Sequence, residues 1–460
     1  MSTITRREEP ALVAAVLVAC GLAAISLGVL LAEAPGLGAV AVAGLVYVAI
    51  VLRSPALGVA LWVPAFSLSF FPAGNALLRA GVAAALLAVL IVELRSGRLA
   101  LPVLRQRLWI SAVIALLAWS LASVLWSSSP QVVLAEIWRA ALAVFAGVAI
   151  VWVVSERRHA RWIAAAIVAG PVVSATVGLV GGDAISRFAP GETFGRLTGG
   201  SGDANQLAAG LVPAVALAVG LFIAVRHPLA KLLALACVPV AVVGIGASES
   251  RGGVIALAIL LLAMVVLFRG ARGTVVAVIA LAAASLAVFL ATSPAALNRL
   301  TDVDADGTGR KDLWRVGSSM SLDHPLGVGL NGFRVEASNY ALDPGYIDRV
   351  GLVVERPVVV HNTYLQFFAE LGFVGLLLFC AVAALSLRSA LLAARAFARA
   401  GDAAMAALAR ASLAAMTGFL AASVFVSFGF SYRMWALLAL GPALLTVAAR
   451  AASSGRAAAS

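Results

Sequence analysis

Charge is scarce in this chain. Only 12% of its 460 residues are Asp, Glu, Lys or Arg, against 63% hydrophobic residues and a mean hydropathy of +1.05, a balance that excludes the soluble globular class. Cysteine is scarcer still. Cys20, Cys237 and Cys380 all fall inside apolar runs, which leaves no disulfide framework and no metal-ligand spacing, so they read as small apolar filler. Acidic residues number 21 against 33 basic, a net charge of +12. Basic inner loops facing anionic lipid headgroups account for that excess without any nucleic-acid partner.

What is present is apolar sequence in long runs. Ala11 to Leu31, Leu108 to Trp126, Thr274 to Thr292 and Leu365 to Leu387 are each long enough to cross about 30 Å of hydrocarbon as a helix. The runs are continuous and do not alternate, so helices and not a barrel are expected. The fold class is therefore an all-α polytopic membrane protein. Breaks between runs put spans near 11–31, 38–52, 56–71, 76–94, 108–126, 139–154, 162–181, 204–225, 232–247, 254–268, 274–292, 361–387, 411–430 and 436–450. That makes fourteen, or twelve if one pair of short spans is re-entrant or strongly tilted. The first run has no small-residue cleavage site ahead of a soluble domain and reads as an anchor.

Lys and Arg set the orientation. With the N-terminus inside, 20 of the 33 fall in inner positions and 6 in short outer loops, which predicts cytoplasmic termini and an external loop at 293–360. The chain then divides into N-terminal helices (1–181), a second helical group (182–292), the long loop (293–360), C-terminal helices (361–450) and a disordered tail (451–460). The loop carries 16 of the 54 charged residues.

Ionisable groups at a membrane boundary are costly and are functional candidates by default. Three clusters on the outer side qualify. Arg196 to Gln206 (RLTGGSGDANQ) leads into a span, with Asp203 or Asn205 placed either to cap the helix or to form part of an anion site. Ser248-Glu249-Ser250-Arg251-Gly252-Gly253 is a tight polar hairpin between short spans. Its Arg251 fork suits a phosphate, the alternatives being a Glu249 pair or snorkelling to the interface.

The third cluster is the loop itself. From Arg310 to Met320 it reads as an amphipathic helix with Leu313, Trp314 and Val316 inward and Arg310 toward a site, followed by the breaker-rich Asp323-His324-Pro325-Leu326-Gly327-Val328-Gly329. Upstream, Asp302, Asp304 and Asp306 imitate the start of a calcium loop, but its twelfth position is Leu313 and its eighth is Gly309, so no metal site is assigned. Of the four histidines, His361 alone stands at the mouth of a span, in His361-Asn362-Thr363-Tyr364. Alone it reads as structural as readily as a near-neutral base.

The ordered set of motifs resembles the O-antigen ligase and O-antigen polymerase family of bacterial envelope glycosyltransferases. The matching residues are Asn205 in GDANQLAAGLVPA, Ser250-Arg251-Gly252, Arg310 and Trp314 in GRKDLW, His324-Pro325-Leu326-Gly327-Val328-Gly329, and His361-Asn362-Thr363-Tyr364-Leu365 followed by Glu370-Leu371-Gly372. The resemblance covers roughly residues 200 to 385. It implies a GT-C type enzyme in the bacterial cytoplasmic membrane, without a cofactor, taking a glycan from an undecaprenyl diphosphate carrier on the outer face and passing it to an acceptor hydroxyl on glycan, lipid or wall polymer. It also implies essential roles for Arg251 and Arg310 at the diphosphate and for His361 in catalysis, with Asn205, Trp314 and Asn362 as further carry-overs whose roles are equally well packing or capping. The Asp-rich insert before Arg310, and fourteen spans where twelve are usual, depart from the pattern.

The chemistry agrees with the residue types. Charge develops on phosphate oxygens as the sugar departs, and two guanidinium groups stabilise it; a single displacement inverts the anomeric carbon. A transporter or flippase for a lipid-linked glycan is the alternative, and it would need ionisable or broken helices near the midplane, whereas these charges gather at one boundary. A receptor or scaffold is the third reading.

Overall fold

The computed structural model describes residues 35–68, 74–96, 106–181, 195–301, 310–341 and 359–459. Among them the elements are helical, with no strand: α1 (Pro35–Arg53), α2 (Pro55–Trp62, continued by a 3-10 turn Val63–Ser67), α3 (Gly74–Ser96), α4 (Arg107–Ala122), α5 (Pro130–Val153), α6 (Arg157–Gly181), α7 (Ala204–Ala224) and α8 (Pro228–Ala247). Then follow α9 (Arg251–Leu267), α10 (Arg272–Thr292), α11 (Pro294–Thr301), α12 (Arg310–Asp323), α13 (Phe333–Ala341), α14 (Thr363–Arg399), α15 (Ala403–Ala422) and α16 (Tyr432–Ala459). The span expected at 11–31 lies outside the described residues. Each later span overlaps a helix, the one expected at 411–430 being displaced to Ala403–Ala422 and the one at 56–71 being described only to residue 68, and nine of the described helices are long and apolar enough to cross a membrane. The chain is an all-α, multi-pass membrane protein.

Punctuation in the sequence explains the breaks. Pro55, Pro130 and Pro228 each open a helix at its first position, where the missing N–H costs nothing. Pro171, Pro213, Pro239 and Pro442 lie inside helices, as membrane helices tolerate when neighbours re-satisfy the freed carbonyls. α16 runs on through residues 451–459, the stretch expected to be a disordered tail. Those residues are alanine-rich and extend a helix already nucleated, so elongation is favourable there.

α7 is the axis of the bundle. Its residues are buried almost all round, and it packs against α6, α8, α9 and α15. Lipid supplies no hydrophobic drive between helices, so close approach of small residues must hold them. A Cβ at Gly220 would collide with that of Ala411 on α15, and one at Gly418 would come within 2.8 Å of the Leu260 Cβ on α9. α14 joins this centre to α4, α12, α15 and α16, while α10 leans mainly on α8.

The described parts of the long loop are docked on the bundle. Leu313, Val316, Met320, Val328, Phe333, Ala337 and Val360 bury together against Ala369, with Trp314, Tyr340 and Leu365 packed on them. The inward face expected for the amphipathic segment is therefore present. The His324-to-Gly329 turn meets a break in α14 at Gly372, whose φ is +67°. There Val328 N–H donates to Ala369 O (3.0 Å), Gly329 N–H to Glu370 O (2.8 Å) and Phe373 N–H to Pro325 O (3.3 Å). Trp119 Nε1 donates to Leu371 O (2.8 Å), Trp126 Nε1 to Leu326 O (3.1 Å) and Ser127 Oγ to Val328 O (2.9 Å). The break frees backbone groups that a continuous helix would have used, and the loop and the α4–α5 turn take them up.

Candidate functional site

Four helix starts converge at the end of the bundle that carries the loop. The first is α7, which Asp203 caps by accepting from Gln206 N–H at 2.7 Å. Of the two capping candidates, Asp203 has the role. Asn205, half a turn on, is a hub instead: its Oδ1 accepts from Ser250 Oγ at 2.9 Å and from Arg196 Nη2 at 3.2 Å. Arg196 Nε also donates to Ser248 O at 2.9 Å. One amide oxygen thus ties the start of α7 to the α8–α9 turn.

That turn presents Arg251 as the first residue of α9, after Ser250 caps the helix through Gly253 N–H (3.2 Å). The close pack of this start against α7 and the α15–α16 turn needs glycine: a Cβ at Gly253 would lie 2.7 Å from the Ala208 Cβ, and one at Gly252 2.6 Å from the Phe425 Cβ. Glu249, at φ +50°, pairs its carboxylate with Arg299 Nε of α11 at 3.4 Å.

Arg310 opens α12, and burial, above all, holds its guanidinium below the ordinary arginine value; the Asp203 carboxylate opposes that shift and Arg251 adds to it. Arg196 is lowered for the same leading reason, with Arg299 and Arg310 adding and Asp203 and Glu249 opposing. The two arginines and Asp203 therefore share one partly dehydrated field. Guanidinium groups crowded in this way remain charged, and an anion among them relieves both the burial and the mutual repulsion.

His361 adjoins the same field. It sits at φ +53° directly before α14, the left-handed region being uncommon for a side chain of this kind. Burial lowers its imidazole below the ordinary 6.5; Arg310 and Arg334 push the same way and Asp203 opposes. The ring is consequently neutral at neutral pH, the state in which a base acts. Its backbone is held from both sides. Asn362 caps α14 by accepting from Tyr364 and Leu365 N–H (3.0 and 3.1 Å), and Thr363 Oγ1 donates to Val426 O (2.7 Å) while accepting from Phe428 N–H (3.0 Å).

Of the residues singled out from sequence, Arg310 and His361 thus lie within the field of Asp203, Arg251 within that of Arg310, and Asn205 is tied to Ser250 beside Arg251. Asn362 is a helix cap. Trp314 packs in the loop core with a buried Nε1 that has no hydrogen-bond partner among the described residues. The Asp302, Asp304 and Asp306 positions lie outside the described residues, and among those described no group of three or more His, Cys, Asp or Glu is arranged to hold a metal ion.

Two arginines join this end of the bundle that motif reading did not single out, Arg334 and Arg433, and Arg196, named only as the start of its cluster, joins them. Arg433, at the start of α16, donates through Nη1 to Ser201 Oγ (3.2 Å) and Gln206 O (3.3 Å) and through Nη2 to Gln206 Oε1 (2.5 Å), with Phe428 under its guanidinium. Its signal was available: an arginine opening an apolar run obeys the same boundary rule as Arg251.

No curated protein matches the chain in a sequence comparison. Residues 235–380 match the family model described as O-antigen ligase. The matched segment runs from α8 into α14 and includes Arg251, Arg310, Trp314, His361 and Asn362, while Asn205 lies before it. That match supports an O-antigen ligase and polymerase family assignment on the segment that holds the second half of the site.

Proposed function

We propose that this protein, whose match to the O-antigen ligase model over residues 235–380 supports a surface polysaccharide ligase- or polymerase-type function, transfers a glycan from an undecaprenyl diphosphate carrier to an acceptor hydroxyl at the external face of the bacterial cytoplasmic membrane. Both termini lie on the cytoplasmic side in this reading. The observation that carries it is the pairing of a half-buried His361, neutral at neutral pH, with the partly dehydrated Arg310 and Arg196 that share the field of Asp203.

Arg251 and Arg310 bind the diphosphate. A guanidinium fork matches phosphate oxygens in pairs, and in a water-poor site it stabilises charge that grows as the sugar–phosphate bond breaks, an effect typically worth about 10²–10³ in rate per donor. His361 takes the proton of the acceptor hydroxyl as that oxygen attacks the anomeric carbon. One displacement inverts that carbon, and the guanidinium groups meet the leaving charge without a metal ion. Asn205 positions Arg251 through Ser250, and Asn362 positions His361 by fixing the start of α14.

The test is replacement of Arg251, Arg310 and His361 singly by Ala, followed by surface glycan analysis and membrane fractionation. Each variant is expected to lose glycan transfer while the protein stays folded in the membrane; normal surface polysaccharide in all three overturns the proposal. Glycan from a deletion strain separates the two family activities. Loss of long chains with repeat units retained indicates polymerase, and accumulation of carrier-linked long chains indicates ligase.

A further inference from the structure

Beyond the arginine field, a polar cavity of about 210 Å³ lies at the meeting of α5, α13, α14 and the α15–α16 turn. Arg139, Arg334, Gln366, Glu370, Phe367 and Phe430 line it. The arginine field described above contributes neither Arg251 nor Arg310 to its walls. At ~30 Å³ per water it has room for about seven waters, which is enough for one sugar ring and its hydroxyls.

Its walls carry an unused acceptor. Gln366 Nε2 donates to Glu370 Oε1 at 3.3 Å, and Glu370 Oε2 accepts from Asn331 N–H at 3.0 Å. Gln366 Oε1 is then left buried with no hydrogen-bond partner. Leaving a buried acceptor unmade costs stability, and a ligand hydroxyl would satisfy it. Planar amide and carboxylate groups with guanidinium donors at the rim, beside the aromatic side chains of Phe367 and Phe430, are the mixture of polar and apolar lining that recognises a hydroxyl-bearing ring.

We propose that this cavity is the acceptor subsite and holds a sugar ring of the acceptor glycan. The inference rests on the transfer reading given above. In a single displacement the attacking hydroxyl lies opposite the leaving phosphate oxygen, so an acceptor belongs across the base from the phosphate-binding arginines. The cavity fits that requirement: it shares Arg334 with His361, and its wall residue Ser427 accepts from Asn362 N–H at 3.2 Å.

The test uses full-length protein in lipid nanodiscs, with oligosaccharides hydrolysed from the producing cells' own surface polysaccharide as one probe and inorganic pyrophosphate as the other. Saturation-transfer NMR is expected to detect oligosaccharide binding to the wild type and to His361→Ala, and to lose it in Gln366→Ala and in Arg139→Ala. Arg139 is exposed and pairs with Glu136, so that variant folds even if the Gln366 one does not. In turnover assays both variants should raise the acceptor KM roughly tenfold, the effect of one lost hydrogen bond to a charged or buried group, with the donor KM unchanged. Equal oligosaccharide signals in wild type and both variants, or none in the wild type, overturn the subsite. Stabilisation by pyrophosphate reports on the arginine field instead: its absence counts against the diphosphate reading, whatever the oligosaccharide result.

Discussion

Asn205→Ala is the substitution with the most informative expected effect, because Asn205 touches no reacting group in the proposed mechanism. Its Oδ1 accepts one bond from the Ser250 hydroxyl (2.9 Å) and one from the Arg196 guanidinium (3.2 Å). Removing it costs about 1 kcal/mol for the neutral bond and about 1.5–3 kcal/mol for the charged one. Arg196 keeps Ser248 O at 2.9 Å, and Asn205 is only half-buried, so entering water recovers part of this. A net cost of about 1.5–3 kcal/mol remains, and if it falls on the placement of Arg251 it lowers kcat/KM roughly 10- to 100-fold. Asn205→Asp keeps the acceptor oxygen and should restore the turn, but it adds a negative charge beside Arg196 and so weakens donor binding. The assay is glycan transfer by nanodisc-embedded protein, with size exclusion as the folding control. A kcat/KM within twofold of wild type for a folded Asn205→Ala refutes the positioning role.

The pH profile has a definite sign. His361 acts as a base only when neutral, and its folded value lies below 6.5, so transfer should be flat through neutral pH and fall only as pH drops through that lowered value; an acid limb at or above 6.5 contradicts the reading. Arg310 is one of the charges holding it down, so in Arg310→Ala the limb of the residual activity should move to higher pH. Gly372→Ala places a Cβ against Pro325 O and 2.8 Å from the Leu326 Cα at φ +67°. Strain of about 1–3 kcal/mol from the backbone alone should lower the melting temperature and the activity together, and an unchanged melting curve would show that the latch is not needed. Arg433→Lys replaces a fork that reaches Ser201 and two oxygens of Gln206 by one ammonium, with an expected cost of about 1–3 kcal/mol read as reduced thermal stability; wild-type stability would reduce Arg433 to a surface contact.

How far this arrangement is legible in the sequence depends on which coordinate is asked for. Depth along the membrane normal follows from counting. Apolar runs mark the crossings, Lys and Arg bias marks the sides, and each even number of crossings returns the chain to the same face. The starts of α7, α9, α14 and α16 therefore share one end by parity alone, and Asn205, Arg251 and His361 could be placed together in depth. The loop helix at Arg310 was legible too, since Leu313, Val316 and Met320 recur at helical spacing and all three are buried.

Lateral position is a different matter, because nothing in a run of Ala, Val and Leu says which helix stands beside which. That information lies in close approaches such as Gly220 to Ala411 and Gly418 to Leu260, where a missing side chain in one helix matters only once its neighbour is known. These contacts seat α15 and α9 against α7, and so bring Arg433 onto Gln206 and Ser250 onto Asn205. The same limit governs His324-Pro325-Leu326-Gly327-Val328-Gly329. Its breakers announce a turn, yet its function as a latch depends on meeting carbonyls freed at Gly372, more than forty residues away in sequence. Depth is thus a one-dimensional property written locally, whereas adjacency is written in pairs. A site that joins four helix starts needs the pairs before an arginine such as Arg196 or Arg433 can be told from an ordinary boundary charge.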